Sequence, residues 1–153
     1  MTKTATLGQV NEYVTVTIGP QLFGIPIDVV NEIFKPDRLT KVPLSHRDIA
    51  GVLNLRGRIV TMIDCRRRLG IAEEGLGSEF MAVGVERDGD HYGLLFDGAG
   101  EVLRFSPEQL EPTPVNLDPH WKTVSKGVFR MENGLLVLLD INVLLDFSRK
   151  AAA

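Results

Sequence analysis

Short hydrophobic segments, some alternating and some continuous, organise this chain. The segment YVTVTI (13–18) places Val, Val and Ile on one side of an extended backbone and Tyr and two Thr on the other. This period of two predicts a β-strand. The runs IVTMI (59–63) and LLVLL (135–139) are apolar throughout, and at this length they predict strands buried on both faces. Because Gly and Pro separate many such segments, the sequence predicts a mostly β fold.

Helical signals are few and short. A capping residue, followed in two cases by Pro, marks the start of each predicted helical turn. The last residue of Ser106–Gln109 also completes a capping box. The four capping positions are Ser106, Asp118, Asp64 and Asp140.

An internal repeat links the two halves of the chain. GVLNLRGRIVTMIDCRRRL (51–69) aligns without a gap over GVFRMENGLLVLLDINVLL (127–145), and two earlier segments match in the same order. The matched identities predict a duplicated unit; they are Gly24/Gly93, Asp28/Asp97, Glu32/Glu101, Leu39/Leu110, Pro43/Pro114, Gly51/Gly127, Val52/Val128, Asp64/Asp140 and Leu69/Leu145.

The repeat predicts two β subdomains that correspond to sequence halves, about 11–70 and 79–147. The Gly-rich segment 71–78 is the predicted linker. Residues 1–10 and 148–153 have the composition of terminal tails.

A hairpin is predicted in each half. Asn133-Gly134 is a strong two-residue turn signal, since both residues tolerate positive φ. Its counterpart is Gly57-Arg58, which places Arg56 at the mouth of the first hairpin. Arg56 could serve the turn, bind an anion or contact another protein.

Composition places the chain among soluble globular proteins, with 44% hydrophobic and 24% charged residues. It contains no apolar run near the ~20 residues of a membrane span, and its first residues do not resemble a secretory signal. A single cysteine fits a reducing compartment, so we expect a cytosolic protein. The net charge of −3 is uneven, at +2 for residues 1–75 and −5 for the rest.

No motif for catalysis or cofactor binding is apparent. The three histidines lie in predicted loops without metal-ligand spacing and are interpreted as surface residues, and Cys65 as part of the interior. There is no GxSxG, GxGxxG or P-loop pattern. The aspartates at repeat positions, among them Asp28 and Asp97, are interpreted as turn and cap residues. We therefore expect no enzyme activity, metal or cofactor.

The run Arg66-Arg67-Arg68 has two interpretations. It could bind phosphate, as the arginines of nucleic-acid-binding barrels do, or it could be the solvent-exposed side of a short helix. The second repeat has Asn142, Val143 and Leu144 there, so the repeat itself does not require the arginines. We favour the solvent-exposed interpretation.

The segments FGIPI, NEI, GVLNLRG and LLDINVLL together resemble the CheW-type coupling proteins of bacterial chemotaxis, over roughly residues 11–147. The chain departs from that family at Thr61-Met62, where Pro-Val is usual, and at Cys65, where Leu is usual. The resemblance implies an all-β fold of two five-stranded SH3-like barrels with a few short helices. It also implies a non-catalytic adaptor that bridges chemoreceptor cytoplasmic tips and the regulatory domain of the histidine kinase CheA.

The resemblance also implies site residues. Arg56 and Glu32 match two charged residues that pair in the family, and the remaining members of the predicted receptor and kinase site are Val30, Ile33, Gly51, Asn54 and Gly57. A second partner surface is expected at Glu111 and Asn116. A groove between the barrels, lined by residues such as Val30 and Ile33, could accept a receptor helix, although both residues could instead be core.

The same resemblance predicts a location at the inner face of the membrane within receptor arrays, with membrane contact only through receptors and with other CheW-like domains as possible neighbours. The alternative function is a β-barrel that binds nucleic acid or another polyanion through Arg56, Arg58 and Arg66 to Arg68.

Overall fold

The computed structural model describes residues 10–43, 45–71, 79–132 and 134–146, which fold mainly as β-strands. The predicted mostly β fold class is confirmed. The strands are β1 Asn11–Ile18, β2 Gln21–Pro26, β3 Val30–Phe34, β4 Ile49–Leu55, β5 Arg58–Asp64, β6 Met81–Arg87, β7 Asp90–Phe96, β8 Gly98–Phe105, β9 Leu110–Glu111, β10 Ser125–Met131 and β11 Gly134–Leu139.

Among the described residues, helical structure is limited to single turns. Three short α-helices are α1 Cys65–Arg68, α2 Pro119–Lys122 and α3 Ile141–Leu144, and two 3-10 turns span Ile27–Val29 and Pro107–Gln109. The predicted capping aspartates are confirmed, because Asp64 accepts hydrogen bonds from the backbone N–H groups of Arg66 and Arg67, and Asp140 accepts one from Val143. The predicted linker residues 72–78 and most of the predicted tails lie outside the described residues.

The strands form two sheets of similar strand order. The six-stranded sheet runs β8-β1-β2-β11-β10-β9, and the five-stranded sheet runs β3-β6-β7-β5-β4. Each contains a parallel pair, β2 with β11 in the first and β5 with β7 in the second. The first five strands of the six-stranded sheet correspond in the sequence repeat, one by one and in the same order, to the five strands of the other sheet. This is expected for two SH3-like barrels. The sixth strand, β9, is two residues long.

The two compact units do not coincide with the predicted sequence halves. One comprises residues 1–15, 21–27 and 100–153, and the other comprises residues 16–20 and 28–99. Most of the β1–β2 hairpin therefore belongs with the strands of the second half, and the β6–β7 hairpin belongs with β3, β4 and β5. The two repeats supply equivalent hairpins, so sequence similarity cannot tell which copy completes which unit.

The repeat itself is confirmed by matched backbone constraints. Gly51 has φ +154°, and a Cβ there would lie 2.6 Å from the carbonyl oxygen of Thr40. Gly127 has φ +146°, and a Cβ there would lie 2.7 Å from the carbonyl oxygen of Glu111. Each glycine follows a register shift at the start of its strand. Glycine is required at both positions because the adjacent strand approaches so closely.

Burial follows the hydrophobic pattern except in β5 and at two positions of β1, Tyr13 and Thr15. Four consecutive residues of β11, Leu136–Leu139, are buried as predicted. In β5, by contrast, Ile59 is 61% exposed, because it lies beside the hairpin turn where only one face of the strand is covered. In β1 the expected outer residue Tyr13 is also buried, since its ring packs against Phe105 and Phe129.

Cys65 fills the interior, as predicted. It is a buried free thiol, and burial raises its pKa well above the usual value. Two of the three histidines lie in regular elements rather than in loops. His91 is on β7 and the backbone of His120 is in α2, so the loop assignment was wrong for both, while His46 lies in the segment before β4.

Candidate functional site

The β4–β5 hairpin turns at Arg56 and Gly57. Leu55 pairs with Arg58, and the two turn residues have φ +53° and +82°. Two consecutive positive φ values are characteristic of the type I′ turns that suit the twist of a hairpin. The side-chain oxygen of Asn54 accepts a hydrogen bond from the Gly57 N–H at 3.0 Å and fixes the turn. The predicted turn pair, Gly57-Arg58, was wrong by one residue, so Arg56 lies within the turn rather than at its mouth.

The second hairpin shows the same shift of one residue. Met131 pairs with Gly134, which makes Gly134 the first residue of β11 rather than a turn residue. Asn133 lies outside the described residues.

Arg56 and Glu32 form the predicted pair. Glu32 lies on β3, an edge strand of the five-stranded sheet, opposite Gly84 of β6. Nη1 of Arg56 donates to Glu32 Oε2 at 2.8 Å, and Nη2 donates to Oε1 at 2.7 Å. This fork geometry orients both side chains more strictly than a point charge could.

The electrostatics of the pair follow from that geometry. The hydrogen bonds from Arg56 lower the pKa of Glu32, and the same bonds raise the pKa of Arg56. The Glu32 side chain is 29% exposed and that of Arg56 is 73% exposed. A carboxylate partly covered by the sheet therefore anchors a guanidinium that presents most of its surface to solvent.

The pair forms one side of an open cleft of about 560 Å³ in the unit of residues 28–99. Apolar side chains form its floor and charged side chains form its rim. The lining residues are Asn31, Glu32, Phe34, Leu55, Arg56, Arg58, Val60, Gly84, Val85, Glu86, His91 and Tyr92. Val30 and Ile33, which were expected to line a groove between barrels, do not line this cleft.

The other predicted site residues divide into two groups. Asn54 and Gly57 join Arg56 in the hairpin, whereas Gly51 is buried at the far end of β4, where it permits the close approach of Thr40. Val30 is partly buried on β3, and Ile33 is 40% exposed, so Ile33 is not a core residue.

The predicted second surface contains a pair that the sequence interpretation missed. Glu111 on β9 accepts hydrogen bonds from Nη2 of Arg130 at 2.8 Å and from Nε at 3.2 Å. These bonds raise the pKa of Arg130. Asn116 is exposed beside Val115, which is 88% exposed. Arg130 lies one strand away from Glu111, so only the pairing of β9 with β10 reveals the contact.

The arginine run is mostly engaged with carboxylates of the same unit, so the solvent-exposed interpretation was wrong for Arg66 and Arg68. Arg66 forms a two-bond pair with Asp97, with Nε to Oδ1 at 2.7 Å, and Asp97 also accepts from the Gly19 N–H at 2.7 Å. The hydrogen bond from Arg66 is the main reason that the pKa of Asp97 is lowered.

Arg68 is the most deeply placed of the three arginines. It is 8% exposed, and its Nη1 lies 3.4 Å from Oδ2 of Asp48, itself 1% exposed. Arg67 is more exposed and donates to the carbonyl of Arg47 at 3.4 Å. Because these guanidiniums face protein groups, they do not form the basic patch that polyanion binding requires.

No metal site is apparent in the part of the chain that the structure describes, where no three His, Cys, Asp or Glu side chains cluster suitably. Among the same residues, no helix is both long and apolar enough to cross a membrane.

Comparison with known proteins agrees with this architecture. The family described as CheW-like domain matches residues 12–149. Chemotaxis protein CheW of Klebsiella aerogenes is 34% identical, covering 95% of this chain and 87% of that protein, and CheW of Thermotoga maritima is 28% identical, covering 88% and 87%. The crystal structure of the scaffolding protein TtCheW from Thermoanaerobacter tengcongensis superposes with a TM-score of 0.80 at 26% identity, over 90% of this chain and 94% of that one.

Proposed function

Because the chain belongs to the CheW-like domain family of chemotaxis scaffold and adaptor proteins, we propose that it couples chemoreceptor cytoplasmic tips to the histidine kinase CheA. In this proposal the protein is not an enzyme. It lies in the cytoplasm at the inner face of the membrane and reaches the membrane only through receptors, with other CheW-like domains as possible neighbours in the array.

The Arg56–Glu32 pair is the observation that carries the proposal. Exposed ion pairs contribute little to the stability of a fold, so stability alone does not explain this pair. At an interface, however, a forked pair that becomes partly desolvated fixes the register and orientation of the partner. The second repeat has Glu132 at the position of Arg56, so the repeated fold forms without this arginine. Partner binding is therefore the better explanation for it.

The surrounding predicted residues support a docking surface on the same unit. Val30 and Ile33 present apolar groups on the edge strand β3, and Asn54 holds the hairpin that carries Arg56. Apolar groups on the same strand as an oriented charged pair suit the apolar face of a partner helix.

Co-sedimentation tests the proposal. The wild-type protein is mixed with receptor tips, with the CheA regulatory domain, and with both, and we expect it to join the two partners in one complex. Arg56→Glu should remain folded but lose coupling, since it places two carboxylates side by side. Adding Glu32→Arg restores an opposite-charge pair and should restore part of the coupling.

A matched control reverses a charge on the other unit. Arg104→Glu reverses an exposed arginine that pairs with Glu12 in the other unit, at 3.1 Å. If this variant loses coupling as fully as Arg56→Glu, net charge rather than the Arg56–Glu32 pair is responsible. If the wild-type protein joins neither partner, the proposed function is wrong.

Glu111 and Asn116 are proposed to contact a second partner within the array. Glu111→Gln releases Arg130 without adding bulk. A change in assembly with CheA, together with unchanged binding of receptor tips, would assign this surface to the kinase.

A further inference from the structure

Arg58 and His91 line the same cleft as Arg56 and Glu32 and take no part in that pair. They lie on β5 and β7, which pair in parallel with Val60 opposite His91. Nη1 of Arg58 is 3.2 Å from Nε2 of His91. A guanidinium only donates hydrogen bonds and an imidazole carries no negative charge, so this contact brings no carboxylate to Arg58.

The charge of Arg58 is therefore not compensated by that contact. Arg56 donates to both oxygens of Glu32, whereas Arg58 contacts an imidazole rather than a carboxylate. The other carboxylate on the rim is Glu86, which lies opposite His91 on β6. Within the described ranges, neither Arg58 nor Glu86 forms an ion pair.

The cleft beside Arg58 also has an apolar floor. Phe34, Leu55 and Val60 line it below the charged rim. Arg58 is exposed in this structure, and a partner seated on the apolar residues would exclude water from the cleft, so a matching carboxylate would gain more there than in open water. The remaining N–H groups of Arg58 suit the two oxygens of a carboxylate.

We propose that Arg58, held by His91, binds an acidic side chain of the protein partner that docks on the Arg56 hairpin. This rests on the proposed function, because the occupant is argued from continuity with that surface: Arg56 and Arg58 line one cleft on either side of Gly57. An Asp or Glu next to an apolar side chain of the receptor tip would fill both parts of the cleft.

Binding of the receptor tip to purified variants, measured by calorimetry, tests the proposal. Arg58→Gln should weaken binding about tenfold, the value expected for losing a charged hydrogen bond at an interface. Glu86→Gln should strengthen binding about two- to fivefold, because it removes from the rim a negative charge that repels the acidic side chain of the tip. Arg104→Gln, a neutralisation on the other unit, should change binding less than twofold.

An acid scan of the tip identifies the occupant. Each Asp or Glu of the tip is replaced by Asn or Gln and measured against wild-type protein and Arg58→Gln. Replacing one particular acid should weaken binding to the wild-type protein and should have almost no further effect on binding to Arg58→Gln.

The outcomes separate the two proposals. If Arg56→Glu abolishes binding while Arg58→Gln and Glu86→Gln bind as the wild type does, the acid-binding role of Arg58 is wrong and the proposed function stands. If the effect of Arg58→Gln on binding adds to that of replacing every acid of the tip, the acid-binding role of Arg58 is also wrong. If the wild-type protein binds neither receptor tip nor kinase domain, both proposals fail together.

Discussion

The Arg66–Asp97 pair gives the sharpest test of how the arginine run is used. Asp97 accepts two hydrogen bonds from Arg66 and one from the Gly19 backbone. The Arg66 side chain is 21% exposed and that of Asp97 is 26% exposed. Replacing Arg66 by Met keeps much of the side-chain volume but leaves a partly covered carboxylate with a single donor. Exposed pairs contribute about 0–1 kcal/mol and breaking buried pairs costs about 3–5 kcal/mol, so this intermediate site should cost about 2 kcal/mol.

Urea unfolding followed by circular dichroism measures that cost. For a chain of this size a loss of about 2 kcal/mol corresponds to a fall in Tm of roughly 4–8 °C. Arg67→Met is the matched control from the same helix, and with its more exposed side chain it should change stability by less than about 1 kcal/mol. The double variant Arg66→Met with Asp97→Asn should be less destabilised than the sum of the two single variants, because the partners are coupled.

The pH dependence has a definite sign. The hydrogen bond from Arg66 lowers the pKa of Asp97 in the folded protein from its ordinary value of 3.8. The stability from its charged form is therefore fully present above that value and is lost as pH falls through the lower, folded value. The difference between wild type and Asp97→Asn should shrink below about pH 4. Equal stability of Arg66→Met and Arg67→Met at pH 7, or a difference between wild type and Asp97→Asn that grows toward low pH, would refute the reasoning.

Three further predictions follow from the same structure. Gly51→Ala should lower the free energy of unfolding, measured in urea, by about 2–4 kcal/mol, because a Cβ would meet the Thr40 carbonyl and the φ value is strained for alanine. Gly57→Ala should lower it less, because a Cβ there meets nothing nearby. Equal losses would contradict the close-contact argument. Arg56→Glu should keep Tm within about 2 °C of wild type while coupling is lost, because the Arg56 side chain is 73% exposed, and a larger fall would point to a structural role. Cys65 should react with a thiol reagent only on the timescale of unfolding, since it is buried and its pKa is raised; rapid labelling of the native protein would contradict that burial.

Much of the candidate site could be predicted from sequence, but only by combining two sources. The repeat, with Glu132 at the aligned position, predicted that the fold does not require Arg56, and the resemblance paired Arg56 with Glu32. Neither predicted Arg58, His91 and Glu86 as neighbours, because they lie on three different strands whose pairing no local pattern encodes. The Arg130–Glu111 pair was missed for the same reason.

What the sequence by itself determined was local. The strands, the capping aspartates, the buried Cys65 and the duplicated glycines follow from periodicity, side-chain hydrogen bonding and steric limits within a few residues. These constraints act over short distances along the chain, so they can be read directly from it.

The tertiary structure decided which distant groups meet. Both repeats offer equivalent hairpins and equivalent apolar strands, and only the completed sheets place β7 beside β5 and β2 beside β11. The same pairing determines whether an arginine is exposed or satisfied: Arg66 finds Asp97 across 31 positions of sequence, while Arg56 stays on the surface. Long-range pairing depends on the free energy of the whole sheet, and no single segment carries that information.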